Sequence, residues 1–443
     1  MRTNLLETYS RQLKVAEAYV AKNFDGKTVS ANTQLTTAVL LDNTNRWMTE
    51  SMNMVAGGNR SDLGDWKKFC LNLTNIAVPS LIANDLVIVH PMTSYSGSVA
   101  YLKYVAATDK NGMKDRVLNS VFAHGEMDDA RINYTSQVVV ENDTTPALEV
   151  EPNGMTYVDG NTVKYADVKA IMADGSVQYV AKDAIPEGAA KIAYVAKQFQ
   201  MTHVPATEIP SIAPKMERIA LVAEPRRIAV RYDQITAFQA KTDYGFSLDK
   251  QIAEQACGEL AYEIDTEIVD MLYRAAFSRE DQVKFNKRQP IGVSKFEHYN
   301  AFLEVVEEAK AIIYKRTRKF HPNYMVIGSD VLPVLRFVNG FTGVKNAKMN
   351  GPYKVGELDG LDVYVSPAID SKKFFFGLNG SDMMSSAGVY APYMAIVPTQ
   401  LLGTPDGGMT QGFSTWYAKA LLNDLLLVGG EIVDESYDKV YNG

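Results

Sequence analysis

Val389-Tyr390-Ala391-Pro392-Tyr393-Met394-Ala395-Ile396-Val397-Pro398-Thr399-Gln400-Leu401-Leu402 is followed by Gly403-Thr404-Pro405-Asp406-Gly407-Gly408-Met409-Thr410-Gln411-Gly412-Phe413-Ser414-Thr415-Trp416-Tyr417-Ala418-Lys419-Ala420-Leu421-Leu422. Two strand-like runs flank a turn-rich connection. Pro392 and Pro398 cannot donate to a hydrogen-bond ladder, so the first run is expected at a sheet edge or bent. Pro405, Asp406, Gly407 and Gly408 supply turn chemistry, and the second run resumes alternation with Phe413, Thr415 and Tyr417. Such an aromatic hairpin is sheet scaffold and holds no nucleophile or base for catalysis.

Working outward, 443 residues are too many for one small core and suit two or three lobes. Hydrophobic residues at 46% and charged residues at 22% place the chain among soluble globular proteins and against extended disorder. No apolar run reaches the ~20 residues of a membrane helix, and the Met1–Glu7 start has acid too early for a signal peptide. We expect folding in a cytoplasm and no membrane partner. Cys70 and Cys257 stand far apart, and His90, His124, His203, His298 and His321 never fall at ligand spacing, so neither a disulfide framework nor a metal site is expected. A net charge of −7 argues against a dedicated nucleic-acid reader.

Along the chain, residues 1–24 place Leu6, Leu13, Ala16 and Val20, with Tyr9 and Tyr19, at helical spacing before Asp25-Gly26. The polar face mixes Glu and Lys without basic excess, which favours docking on protein over lying on a membrane. Thr28 to Asp65 is rich in Asn, Thr, Ser and Gly and reads as an extended arm over other subunits. Leu86–Val89 reads as a strand stopped by Pro91, and Thr93–Tyr104 begins another. Short runs over 134–200, with hairpin signals at Asp159-Gly160 and Asp174-Gly175, read as a small β module; a free-standing carbohydrate- or protein-binding domain is the alternative. Arg218–Val222 and Arg226–Tyr232 form a strand pair, the second half-exposed. A long helix then starts at a Ser247 N-cap, with Leu248, Ile252, Ala256, Leu260, Ile264 and Ile268 on one face and Glu254, Glu259, Glu263, Glu267 and Asp270 outside. Phe296–Ile313 is a second helix with Lys315, Arg316, Arg318 and Lys319 at its end. Tyr324–Ser329 is a buried strand, Asp330–Phe337 a helix with Pro333 in its first turn, Tyr353–Val365 a hairpin through Asp359-Gly360, and Phe374–Leu378 an apolar strand.

Candidate chemistry is sparse. Ser247-Leu248-Asp249-Lys250 fits a Ser-x-x-Lys nucleophile pattern, but no partner motif follows and a helix N-cap explains the serine. Asp406-Gly407-Gly408, with Gly403 and Gly412, lacks the Gly-Lys-Ser/Thr of a phosphate loop. Arg226, Arg227 and Arg231, or Lys315 to Lys319, are basic stretches that a strand face and a helix end explain more simply than DNA contact. The Asn72, Asn142 and Asn379 sequons have no meaning in a cytoplasmic chain. No catalytic, cofactor-binding or metal-ligating residue is therefore assigned.

The closing hairpin resembles, nearly residue type for residue type, that of tailed-bacteriophage major capsid proteins of the T-even-like branch, which have the Hong Kong 97 fold. Three further stretches carry the same resemblance. His90-Pro91-Met92 through Tyr104 is similar to the entry of the E-loop, the hairpin that reaches an adjacent subunit. Leu260–Asp270 is similar to the spine helix, and the strand-then-helix at 324–337 to the axial domain, whose tips meet at the capsomer centre. The order of elements agrees from Leu86 to Leu422. The resemblance implies an α+β fold with an N-terminal arm (1–65), a first peripheral part (66–92), an E-loop region (93–133), the inserted β module (134–200), and a peripheral domain (201–294) with a spine helix at about 247–277. An axial domain (295–388) and a closing peripheral segment (389–443) complete it. It implies a structural virion protein that self-assembles in the host cytoplasm into hexameric, with pentameric as an open addition, capsomers of an icosahedral head. The head encloses double-stranded DNA without sequence-specific binding. Portal, scaffold, vertex and decoration proteins are the partner classes it implies. Leu5-Leu6-Glu7 only weakly matches the context cut by the family's processing protease, so no large N-terminal segment is expected to be removed. An encapsulin-like cellular compartment and a multidomain enzyme are the alternatives.

Overall fold

The computed structural model describes residues 2–23, 29–54, 78–79, 81–107, 138–141, 152–159, 162–174, 176–181, 183–187, 189, 191–196, 211–243, 245, 248–344, 351–399, 402–403 and 408–434. The chain divides into one unit of Met1–Val99, Ile219–Tyr314 and Phe320–Gly443, and another of Ala100–Arg218 with Lys315–Lys319.

Three helices begin the first unit: α1 (Arg2–Thr8), α2 (Ser10–Asn23) and α3 (Ala31–Met54). The stripe expected over 1–24 buries Tyr9, Leu13, Ala16 and Val20. The Asn- and Thr-rich stretch after Thr28, expected as an extended arm, is helical over α3. Ser30 Oγ accepts the Thr33 N–H at 3.1 Å, which caps the helix. Thr36 and Thr37 turn their hydroxyls onto carbonyls one turn back, each at 2.8 Å. Ala38, Val39, Leu40 and Leu41 are all buried, and that burial outweighs the weak helix propensity of Asn and Thr.

Helix α4 (Ala83–Leu86) leads into β1 (Ile88–Val89), so the apolar run expected as a strand keeps two strand residues. After β2 (Ser96–Ala106) come β3 (Val138–Glu141), β4 (Pro152–Asp159), β5 (Thr162–Ile171), β6 (Val177–Ala181) and β7 (Lys191–Ala196). These last five form one antiparallel sheet in the order β3-β7-β4-β5-β6. It has a small core of Met155, Tyr157 and Ala166. The runs at 163–165 and 170–172, expected as separate strands, are largely the one strand β5. Of the two hairpin signals, Gly160 and Gly175 lie outside the described residues.

The chain continues through β8 (Ile212–Val222), β9 (Glu224–Asp233), α5 (Gln234–Asp243) and α6 (Leu248–Ala276). Then come β10 (Val283–Asn286), α7 (Lys295–Asn300), α8 (Phe302–Thr317), β11 (Tyr324–Ile327), α9 (Leu332–Leu335) and β12 (Thr342–Gly343). Strands β13 (Tyr353–Leu358), β14 (Leu361–Val365), β15 (Lys373–Gly377), β16 (Gly388–Pro398), β17 (Leu402–Gly403), β18 (Gly408–Leu421) and β19 (Val428–Val433) complete it. The expected pair at 218–232 is not a hairpin, because β8 pairs with β2 while β9 runs antiparallel to β18. The single helix expected over 296–313 is two. A reciprocal Ser294–Glu297 capping box starts α7, and α8 begins after Ala301.

Two sheets organise this unit, β1-β16-β18-β17 with β9 along the opposite edge of β18, and β10-β19-β15-β11-β14-β13-β12. β16 lies between β1 and β18, so its prolines bend it: the register shifts between Pro392 and Met394 and again before Val397. The β13–β14 turn has Asp359 at φ 50 and Gly360 at φ 75, the mirror-image geometry of a two-residue hairpin.

Helix α6, with 29 residues, spans about 44 Å and reaches both sheets. Its first half packs Ala253, Ala256, Cys257 and Leu260 against Ile396 and Phe413 of the first sheet. Its second half packs Ile264, Ile268, Leu272 and Ala276 among Tyr324, Val326 and Phe375 of the second, with Tyr390 and Tyr417 of the first. The other face of the second sheet meets α8, where Phe302, Val306, Ala309 and Ile313 contact Met325, Ile327, Phe374 and Phe376. β11 is covered on both faces, which explains a run without alternation.

Candidate assembly surfaces

Four polar joins brace the first unit. Glu267 on α6 accepts from Arg226 of β9 through Nε at 3.1 Å and Nη2 at 3.3 Å. It also accepts from Lys419 Nζ at 2.8 Å and Tyr417 Oη at 2.9 Å, both on β18. Partial burial opposes its charge, but these donors outweigh burial and hold the Glu267 carboxyl down at about 2, against an ordinary 4.5. Helical spacing alone puts Glu267 on the outer acidic face of α6. The structure corrects this: the helix lies over sheet along more than one stripe, and Glu267 is the polar join between them.

Asp265, two residues earlier, is buried and accepts the backbone N–H groups of Ile82 at 3.2 Å and Ala83 at 2.9 Å, fixing the start of α4. Asn43 of α3 is buried and donates both amide hydrogens, to the Met92 carbonyl at 2.8 Å and the Tyr393 carbonyl at 2.7 Å. Asn379 and Asn323 exchange side-chain-to-backbone bonds at 2.9 and 2.8 Å, and Asn379 also donates to the Asp85 carbonyl at 2.9 Å. The Asn379 sequon is thus a structural knot. Sequence reasoning misses Asp265, Asn43 and Asn323, since a lone polar residue in an apolar stretch does not announce its acceptor.

Arg226 is committed to Glu267, Arg227 stands over the Trp416 ring at 5.8 Å, and Arg316 is buried. Ser247 lies outside the described residues, as do Asp406 and Gly407 of the glycine-rich turn. His298 bonds the Asn286 carbonyl at 2.7 Å, and His321 stacks on Tyr314 with centroids 5.1 Å apart. Among the described residues no three His, Cys, Asp or Glu side chains form a metal-binding group. Cys257 is buried on α6, and burial, helped by the Glu254 charge, pushes its thiol up to about 12, far from a reactive thiolate.

Large apolar side chains stay exposed on the first unit. Ile235 and Phe238 of α5 are 65% and 70% exposed, Phe296 of α7 is 50% and Phe337 after α9 is 53% exposed, and Ile291 is fully so. Where exposed apolar side chains are contiguous they mark contact surfaces.

A family model described as Major capsid protein Gp23 matches residues 63–441. The chain belongs to the Gp23 major capsid protein family. Among relatives, the major capsid protein of Escherichia phage AR1 is 22% identical over a 405-residue alignment covering 82% of this chain and 77% of that one. That of Enterobacteria phage T6 is 21% identical over 410 residues, covering 82% and 80%. A solved structure from Microbacterium phage Oxtober96 is 12% identical with a TM-score of 0.40, covering 80% of this chain and 91% of that one. Gp23-family members are structural, so this chain is a shell component of the phage virion and not an enzyme. It forms the icosahedral head of a tailed phage by multimeric assembly, and the cellular-compartment alternative is not favoured. Its mixed helices and sheets make an α+β fold.

Proposed function

We propose that the chain closes into hexameric capsomers, with pentameric ones where the shell needs them, and that the shell encloses double-stranded DNA. The observation that carries this is the set of exposed apolar side chains on α5 and around α7 and α9, standing on a frame braced by α6. In this reading 66–92, 201–294 and 389–443 form the peripheral domain with α6 as its spine helix. Residues 295–388 form the axial domain, 93–133 the E-loop region, and 134–200 a β module inserted there. The N-terminal arm, 1–65, carries α1 to α3 and acts as a helical clasp. Each subunit then touches several neighbours at once, so that individually weak contacts sum to a stable shell.

The net charge of −7 suits a wall that contains DNA without gripping it. Portal, scaffold, vertex and decoration proteins are the partners such a shell uses, and assembly takes place in the host cytoplasm. Nuclease treatment of purified particles tests the enclosure. Protected double-stranded DNA of mixed sequence inside particles with six-fold capsomers is expected, and particles of another symmetry whose DNA is fully digested would contradict it.

A further inference from the structure

Two of the exposed apolar groups around α7 and α9, Phe296 and Phe337, lie on either side of Tyr299. Phe337 sits 5.9 Å from Tyr299, centroid to centroid, and Tyr299 is one helical turn from Phe296 on α7. The Asn339 N–H donates to Asn300 Oδ1 at 2.8 Å, tying the chain after α9 to the end of α7. Ile291 stands in the short segment before the Ser294 cap. Exposed Arg288, Lys295 and Arg336 stand close in sequence to Ile291, Phe296 and Phe337 respectively, and none forms an ion pair among the described residues. Glu297, the nearest carboxylate in sequence, is spent on the capping box.

The first half of helix α8 carries the opposite charge. Its buried face holds Phe302, Val305, Val306, Ala309 and Ile313 against the sheet, which leaves Glu304 and Glu308 exposed one turn apart. Glu307 beside them is held by Lys310 at 2.8 Å, but Glu304 and Glu308 form no ion pair among the described residues. A single chain therefore presents exposed apolar groups flanked by unpaired cations, and a pair of unpaired carboxylates on α8 that form no ion pair with those cations among the described residues. A ring of identical subunits requires two different, mutually complementary surfaces on each copy.

We infer that the exposed groups Ile291, Phe296 and Phe337, flanked in sequence by Arg288, Lys295 and Arg336, dock against the Glu304–Glu308 face of α8 on a second copy of this chain. The inference rests on the capsomer reading and names the surfaces that close the ring. The apolar centre supplies the burial, and the charges set register and direction around the ring.

Charge exchange tests this in the full-length chain. Lys295→Glu with Arg336→Glu makes both surfaces acidic, and Glu304→Lys with Glu308→Lys makes both basic. Each double variant alone is expected to form roughly tenfold less capsomer than wild type, with an unchanged unfolding midpoint. Mixed in equal amounts, the two should recover rings by alternation, and alternation closes six-membered rings but not five-membered ones. Ile291→Gln, a polar change at a fully exposed position that leaves the charges alone, should also suppress rings. Wild-type yield from either double variant alone, or a mixture that does no better than its parts, would overturn the pairing. A wild-type chain that forms no oligomer under the same conditions would instead sink the capsomer reading itself.

Discussion

Glu267 shows how one carboxylate can fix a helix to two strands. Its folded value of about 2 lies below its ordinary 4.5, so the stability it contributes is fully present above about pH 4.5 and is lost as pH falls toward 2. Glu267→Gln should lower unfolding stability at pH 7 by about 1–3 kcal/mol, the range for breaking a partly buried, multiply bonded charge that retains some solvent screening. Urea titrations at pH 7 and pH 3 check both points. The variant should be weaker at pH 7, and its difference from wild type should shrink at pH 3. At this scale the sequence is informative about apolar residues and poor on polar ones. Ile264, Ile268 and Leu272 declare their burial by spacing. Glu267 shares that spacing with the exposed Glu263, and only Arg226, Tyr417 and Lys419, brought in from distant strands, distinguish the two.

Elements were legible where burial imposes a period. The spine-like α6, the two-face-covered β11 and the Asp359-Gly360 hairpin follow from residue pattern alone. Elements failed where partners are remote: the pairing of β8 with β2 and of β9 with β18 depends on strands more than a hundred residues away, which local alternation cannot specify. Helix α3 was hidden because its buried apolar run, Ala38 to Leu41, is four residues long inside Asn- and Thr-rich sequence, and because Asn43 docks it through backbone carbonyls. Asn43→Ala leaves the Met92 and Tyr393 carbonyls without these donors, at a cost of about 1–3 kcal/mol. Hydrogen exchange should then accelerate across 31–54 while β11 and β15 stay protected; equal acceleration throughout would show that α3 is not a separable clasp. Ile268, with no exposed surface, joins α6 to a core that both sheets share. Ile268→Ala should cost about 2–5 kcal/mol, read as a fall in the urea midpoint of the whole first unit.

For the whole molecule, the family was legible in the closing hairpin and the 260–270 helix, because a shell protein's frame repeats residue types that sheet and strut geometry demand. Its contact surfaces were not legible, since Ile291, Phe296 and Phe337 are ordinary apolar residues until a folded chain leaves them in water. The central claim is that this chain acts by assembling with copies of itself through such surfaces, with no catalytic centre. Electron microscopy of the purified full-length chain under assembly conditions tests it most directly. Hexameric rings or closed icosahedral shells are the expected result, and uniform monomers or small dimers would contradict it.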